Sequence, residues 1–373
     1  MLILVVNCGS SSAKYQLFDI NKNKKSLAKG TVERIGQQGS CRDHHEAISL
    51  MIRALTDPRE GVISSAREIN GVGHRVVHGG EGFKESVLIT DRVIKSIERC
   101  SELAPLHNPP SLLGIEACLK ILKGIPQVAV FDTSFHQTMR PVEFLYGLPF
   151  KYYRKYGIRR YGFHGTSHRY VSHEAAKVLG RPLRSLKLIT CHLGNGCSMT
   201  AVNRGKSFDT SMGFTPLEGL IMGTRSGDLD PAVVFYMMKK ERLTSERISD
   251  ILNKESGLIG ISGVSNDMRD IIKGSRGRGP GARRCKLSIE MFVYRIKKYI
   301  GAYMAAMGGL NAVIFTAGIG EHCPWLVKRI AEELKDVVSN KVKFLVIPTN
   351  EELLIARDTY AIIKKRGDKN GAS

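Results

Sequence analysis

The sequence predicts an α/β protein built from a duplicated domain, the two copies facing a shared central cleft. Two observations carry most of that prediction. Leu2–Val6 is a short apolar strand that runs into Asn7-Cys8-Gly9-Ser10-Ser11-Ser12 and out again through Lys14 into an alternating strand ending at Asp19. The same device recurs at Leu188–Thr190, followed by Gly194-Asn195-Gly196 and a second strand. The third observation is length, since 373 residues are enough for two domains, each with its own buried core.

The remaining elements follow in order. Val128–Phe131 is an apolar strand ending at Asp132, and the chain is expected to cross into its second half near Thr133. That half opens with the loop Gly162-Phe163-His164-Gly165 and a helix over Ser167–Val178, ahead of the second hairpin. Residues 286–306 place Ile289, Phe292, Val293, Ile296, Ile300 and Tyr303 at helical spacing, which predicts one long amphipathic helix. Gly308-Gly309 ends it before a strand at Ala312–Thr316. A strand at Phe344–Ile347 stops at Pro348, and a helix from Glu351 to Ile363 returns the chain to the first half. The expected domains are 1–133 plus 352–373, and 134–351. GSRGRGPGARR at 274–284 reads as an exposed, flexible loop.

Composition narrows the function classes. No apolar run approaches the ~20 residues that span a bilayer, and the N-terminal apolar run lacks a basic leader and a small-residue cleavage site. The eight cysteines form no CxxC pair, so neither a zinc site nor a redox dithiol is signalled, and reduced thiols in a cytoplasmic enzyme are expected. Fifty-six Lys and Arg against 35 Asp and Glu leave a net charge of +21, which raises the question of nucleic acid. The basic residues are dispersed, however, and their short runs are not interleaved with the aromatics that stack bases, so no dedicated nucleic-acid partner is expected. A generally basic surface also attracts small polyanions.

Both hairpin turns are suited to anions. Glycine lets backbone N–H groups approach closely where a β-carbon would intrude, and Ser10, Ser12 and Lys14 surround the first turn as Asn195 does the second. Gly223-Thr224-Arg225-Ser226-Gly227 adds a guanidinium among small residues, a planar grip for carboxylate or phosphate. Either feature alone is an ordinary hairpin or a surface arginine. Two anion-suited elements within forty residues, with the device repeated at the N-terminus, point to a nucleotide clasp.

NCGSSSAKYQLFD, GHRVVHGGE, APLHNPPSLLGI, VFDTSFHQTM, YGFHGTSH, CHLGNGCSMTAV, TSMGFTPLEGLIMGTRSGDLDP, TAGIGEH and VIPTNEELLIARDT resemble, in that order, the motif series of the acetate kinases, from Met1 to about Ile363. The resemblance implies two actin-like (ribonuclease H-like) domains and reversible, direct in-line phosphoryl transfer between ATP and acetate, giving ADP and acetyl phosphate. It also implies Mg²⁺ (with Mn²⁺ as a substitute) and a cytoplasmic homodimer. A carboxylate acceptor is already ionised at pH 7 and needs no general base, so the chemistry is positioning and charge neutralisation.

The resemblance assigns roles within that chemistry. Arg75 and Arg225 grip the acetate carboxylate and the equatorial phosphoryl oxygens, and His164 donates to those oxygens. Asn7 and Glu351 hold the metal, directly or through water, while Asp132 orients Arg75 or the metal shell. Ser10, Ser12, Lys14 and the run His192, Leu193, Gly194, Asn195 and Gly196 bind phosphate. Asp267, Met268, Arg269, Gly318, Ile319, Gly320 and His322 line the adenosine pocket, and Val77, Leu106, Phe163 and Pro216 wall the acyl group. His168 is expected to be structural, while His107 and His192 are balanced between structure and substrate contact.

Valine at position 77 leaves less room than the smaller residue expected in propionate-preferring relatives, which favours acetate. Propionate, butyrate or pyrophosphate as an alternative substrate on the same fold, and a non-catalytic binding protein, are the competing readings. The chain departs from the family in three places. His322 stands where an asparagine commonly follows GIGE, and the segments 36–45 and 323–343 are shorter than usual.

Overall fold

A computed structural model of the chain describes residues 1–22, 25–38, 40–105 and 107–370, so Leu106 lies outside the described residues. Two compact units are present. One is Met1–Gln137 joined by the C-terminal stretch from Asn350, and the other is Thr138–Thr349.

The first unit holds a mixed sheet of β1 (Leu2–Cys8), β2 (Ser12–Asp19), β3 (Lys25–Glu33), β4 (Ile69–Val76), β5 (Val87–Leu88) and β6 (Gln127–Phe131), in the order β3-β2-β1-β4-β6-β5. β1 pairs antiparallel with β2 from Leu2↔Asp19 to Cys8↔Ala13 and parallel with β4. Alternate residues of β1 and β2, among them Leu4, Val6 and Leu17, pack with Ile48, Met51 and Leu55 of the helix His44–Leu55. That helix is capped by the Asp43 side chain, which accepts from the Glu46 N–H.

The helix Glu351–Asn370 packs on β4, β1 and β6. Two glycines in β4 make this approach possible. A β-carbon on Gly71 would stand 2.2 Å from Ile363 Cδ1, and one on Gly73 would stand 2.4 Å from Thr359 Oγ1. The strand INGVGHRV thus gives up side chains where the returning helix needs the space.

The second unit holds β7 (Lys187–Leu193), β8 (Cys197–Asn203), β9 (Lys206–Thr210), β10 (Ala312–Thr316) and β11 (Lys343–Val346), ordered β11-β10-β7-β8-β9. β7, β8 and β9 form an antiparallel meander, and β10 lies parallel to both β7 and β11. Read from the meander outward, β9-β8-β7-β10-β11 repeats β3-β2-β1-β4-β6. This is the duplication that the two hairpins predict.

The long helix spans Pro280–Met307 and buries Ile289, Phe292, Val293, Ile296, Ile300 and Tyr303 as its spacing requires. It starts six residues before the expected 286. Gly279 at φ +90° turns the chain and Pro280 occupies the first helical position, where its missing N–H costs nothing. Since the helix Met268–Ser275 ends just before, the loop expected over 274–284 contracts to Arg276–Gly279. The C-terminal helix likewise runs past Ile363 to Asn370.

In open α/β sheets ligands bind beyond the carboxyl ends of the parallel strands. β1, β4 and β6 bring Asn7, Arg75, Val77 and Asp132 to that edge of the first unit. β7 and β10 bring His192, Gly194–Gly196 and Ala317–Gly320 to the same edge of the second.

Candidate active site

In the first unit, Arg75 is the centre of a charged group. Its Nε and Nη2 donate to Asp132 Oδ2 at 3.1 and 2.5 Å, and Glu351 Oε2 lies 3.7 Å from Nε. Asp132, 1% exposed, is held through its N–H by the Val76 carbonyl. Burial works against the charge on Arg75, but the carboxylates of Asp132 and Glu351 outweigh it and raise the guanidinium pKa. The arginine is therefore a fixed cation with part of its donor fork bound.

Asn7 stands opposite Lys14 in the β1–β2 ladder, and both line a cavity of about 430 Å³ with Lys29 and Glu352, two residues the sequence reading missed. Ser10 is exposed at the turn and Ser12 half-buried. The turn itself is closed by the Gly9 N–H on the Ser12 carbonyl at 2.8 Å and braced by His44 Nε2, 2.9 Å from the Gly9 oxygen. Val77 is buried just past β4.

In the second unit the Gly-Asn-Gly turn joins β7 to β8 directly after the Leu193↔Cys197 pair. Gly223 N–H donates to the Asn195 carbonyl at 2.9 Å, while Asn266 Nδ2 donates to Asn195 Oδ1 at 3.2 Å. A β-carbon on Gly223 would stand 2.0 Å from that oxygen, so the small residue sets the approach. At Gly196 a β-carbon would lie 3.5 Å from both Arg225 Nη1 and His164 Cε1, so arginine and histidine both approach the turn where that glycine has no side chain. Arg225 Nη1 donates to the Pro216 carbonyl at 3.3 Å, and burial lowers its pKa.

His164 adopts φ +55°, in the left-handed region that costs a non-glycine residue energy and often marks functional sites. Its ring stacks on His192, centroids 4.2 Å apart, and its Nδ1 lies 2.9 Å from Ser198 Oγ. The same hydroxyl is 2.7 Å from His168 Nε2, whose Nδ1 reaches Thr190 Oγ1, and His168 is fully buried. His192 Nδ1 is 2.8 Å from Ser167 Oγ, which in turn pairs with Thr349. Ser198 and Ser167 carried no sequence signal because their partners lie 25–34 residues away. His107 precedes the helix Asn108–Ile121 at its N-cap and accepts the Ser111 hydroxyl at its carbonyl. Phe163 is buried and Pro216 half-buried in this unit.

A second cavity, of about 540 Å³, is lined by Gly194, Asn195, Asp267, Met268, Arg269, Gly318, Ile319 and His322, together with Asn266, Ile272 and Cys323, which the sequence reading missed. Its size and mixed lining suit a small organic ligand. Asp267 caps the helix Met268–Ser275 and pairs with Arg269, whose Nη2 lies 2.5 Å away. Ala317–His322 is a short helix in which Gly320 faces the Phe315 backbone at 3.2 Å and does not line the cavity, contrary to its expected place in the pocket. Leu193 is fully buried. Glu321 Oε1 accepts from the N–H groups of Ala317 and Thr349 at 2.7 and 3.1 Å, tying the end of β10 to the segment before Asn350.

Among the described residues no group of three or more His, Cys, Asp or Glu side chains is placed to hold a metal ion, and no helix is long and apolar enough to cross a membrane.

A family model described as the acetokinase family matches residues 2–338. An acetate kinase of Desulfitobacterium hafniense is 53% identical over 402 aligned positions, covering 98% of this chain and 100% of that protein. One from Thermotoga maritima is 52% identical over 406, with the same coverage. Those alignments are longer than the chain itself, so the relatives carry residues that this chain lacks. Among solved structures, the Porphyromonas gingivalis acetate kinase matches with TM-score 0.91 at 43% identity, covering 97% of this chain and 99% of that one. A propionate kinase from Francisella tularensis matches with TM-score 0.89 at 39% identity over the same shares.

Proposed function

The chain belongs to the acetokinase family, and from that premise we propose that it transfers a phosphoryl group reversibly and in line between ATP and acetate, giving ADP and acetyl phosphate. The observation that supports this most directly is the flanking of Gly196 by Arg225 and His164. A side-chain-free turn faced by a guanidinium and an imidazole offers donors to an anion whose charge develops during the reaction.

Arg225 and His164 act on the equatorial phosphoryl oxygens, and Asn195 helps to place them. Arg75, oriented by Asp132, neutralises the carboxylate acceptor. The cavity between Met268, Ile272 and Ile319 takes the adenosine, with His322 at its edge. Val77 limits the size of the acyl group.

Mg²⁺ fits the donor set. This ion keeps several waters and takes one or two carboxylates plus substrate phosphates rather than an all-protein cage. Asn7 and Glu351, both half-buried in the first unit, supply oxygen ligands of that kind. When bound, the ion offsets charge on the phosphates.

We assign a homodimer on the helix Pro231–Glu241, which buries none of its residues and leaves Phe235 and Tyr236 70% and 64% exposed. Sedimentation at several concentrations tests this. A cytoplasmic setting is supported by eight unpaired cysteines.

An acyl-hydroxamate assay with acetate, ATP and Mg²⁺ tests the reaction. Hydroxamate must form with acetate and depend on both nucleotide and metal, and its absence refutes the proposal. The propionate kinase fold makes propionate the second acid to assay. A higher kcat/KM for propionate would reassign the substrate.

A further inference from the structure

Arg160 lies four residues before His164, and its guanidinium gathers the segment that carries Pro216. Nη1 donates to three successive carbonyl oxygens, those of Thr210, Ser211 and Met212, at 2.8, 3.1 and 3.4 Å. Nη2 donates to Glu218 Oε1 at 2.6 Å, and Asp209 Oδ1 lies 3.9 Å from Nε. The second Glu218 oxygen accepts the Tyr146 hydroxyl, which itself accepts the Phe214 N–H at 2.8 Å. The Tyr161 and Gly162 N–H groups both donate to the Gly213 carbonyl, at 3.0 and 3.3 Å. Gly213 has no room for a side chain, since its β-carbon would overlap the Glu218 carboxylate and the Tyr146 hydroxyl. Residues 209–218 are thus wound around a single ion pair.

The far end of this loop is fixed separately. Gly219 and Asp228 exchange two hydrogen bonds, and Asp228 Oδ2 is held by Tyr299 at 2.8 Å and Arg295 at 3.1 Å. The route from Pro216 to Arg225 runs through both anchors and is held at its middle by the Gly223 N–H on the Asn195 carbonyl. Among the described residues no carboxylate pairs with Arg225, unlike Arg75 with its two. The acceptor that orients Nη1 is the neutral Pro216 carbonyl. A cation held by one carbonyl moves when that carbonyl moves.

We propose that Arg160 and Glu218, with Tyr146, are positioning residues that fix the Pro216 carbonyl and through it the Arg225 guanidinium. All three act through Arg225 rather than on substrate. The inference rests on the role given above to Arg225 and extends it to the residues that hold it. A guanidinium satisfied by three carbonyls and a carboxylate has one orientation, which a lysine ammonium could not reproduce. Placement errors of about 1 Å at a reacting centre cost on the order of 100-fold.

A double-mutant cycle separates positioning from general stabilisation. The kcat of acetate phosphorylation is measured for wild type, Glu218→Gln, Arg225→Ala and the double variant, with KM for ATP and thermal unfolding of each. Glu218→Gln is expected to lower kcat about tenfold, leaving KM for ATP unchanged. In the Arg225→Ala background the same change should cost less than about twofold, because the group it acts through is gone. An unchanged kcat in Glu218→Gln overturns the proposal, as does an equal loss in both backgrounds. If Glu218→Gln shows no cooperative unfolding, Tyr146→Phe, which removes only the Phe214 and Glu218 bonds, is read through the same cycle and judged by the same outcomes. Near-wild-type turnover in Arg225→Ala is a different failure, since it removes the role of Arg225 itself.

Discussion

Replacing Gly196 by alanine separates the fold from the chemistry. The new β-carbon would stand 3.5 Å from Arg225 Nη1, 3.5 Å from His164 Cε1 and 3.6 Å from His164 Nε2, all ordinary van der Waals distances. Gly196 is not among the residues with positive φ, so alanine fits its backbone. Removing a glycine from such a position stabilises by ~0.4–1 kcal/mol through the unfolded chain. The melting temperature should therefore hold or rise by a few degrees, roughly 2–4 °C per kcal/mol at this size. The methyl nevertheless stands where an anion would use both donors, which need an oxygen at about 2.8 Å. Displacing that oxygen by about 1 Å should lower kcat/KM about 100-fold. A coupled assay in the acetate-to-acetyl phosphate direction, alongside thermal unfolding, measures both quantities. Gly223→Ala is the contrast: its β-carbon would fall 2.0 Å from Asn195 Oδ1, so activity and stability should drop together. Unchanged kcat/KM in Gly196→Ala would mean that the phosphoryl group does not lie between Arg225 and His164.

Alanine at Arg75 or at Arg225 should each lower turnover about 100-fold or more with the fold retained, as loss of an oxyanion donor commonly costs 10²–10³; near-normal turnover in either variant removes its role. Val77→Ala should raise the propionate-to-acetate ratio of kcat/KM by roughly tenfold, at ~1–2 kcal/mol per methylene, and a constant ratio would place Val77 outside the acyl pocket. His322 lines the larger cavity, so the ratio of KM for ATP to KM for GTP should differ between wild type and His322→Asn. Identical selectivity in both would put the ring outside the nucleotide contact. Burial lowers the pKa of His74, which pairs with Gln127 Oε1 at 2.7 Å, from 6.5 to about 4. The unfolded chain binds that proton first as pH falls. The stability from the neutral ring is therefore full above about pH 6.5 and is lost toward pH 4, by ~3 kcal/mol. In His74→Gln the denaturation midpoint should lose that part of its pH slope; an unaltered slope would refute the assignment.

The sequence by itself determined what depends on near neighbours. Both hairpins were legible because glycine, serine and asparagine between alternating apolar runs leave few other conformations. The buried face of 280–307 was legible from its 3.6-residue period. Boundaries were not: the start at Pro280 came from Gly279 and proline chemistry inside a stretch whose composition reads as loop. The motif order identified Arg75, His164 and Arg225 as residues of interest, while the short helix Ala317–His322 that carries GIGE was not legible. Tertiary structure alone decided the partners. Arg75 and Asp132 are 57 residues apart, Arg160 and Glu218 58, and His164 and Ser198 34. The first pair forms because the parallel strands β4 and β6 end at one edge of their sheet, while the other two join the segment before the helix Gly165–Val178 to the antiparallel β8 and the loop after β9. Strand order is fixed by the summed packing of the core, which no local window of sequence contains.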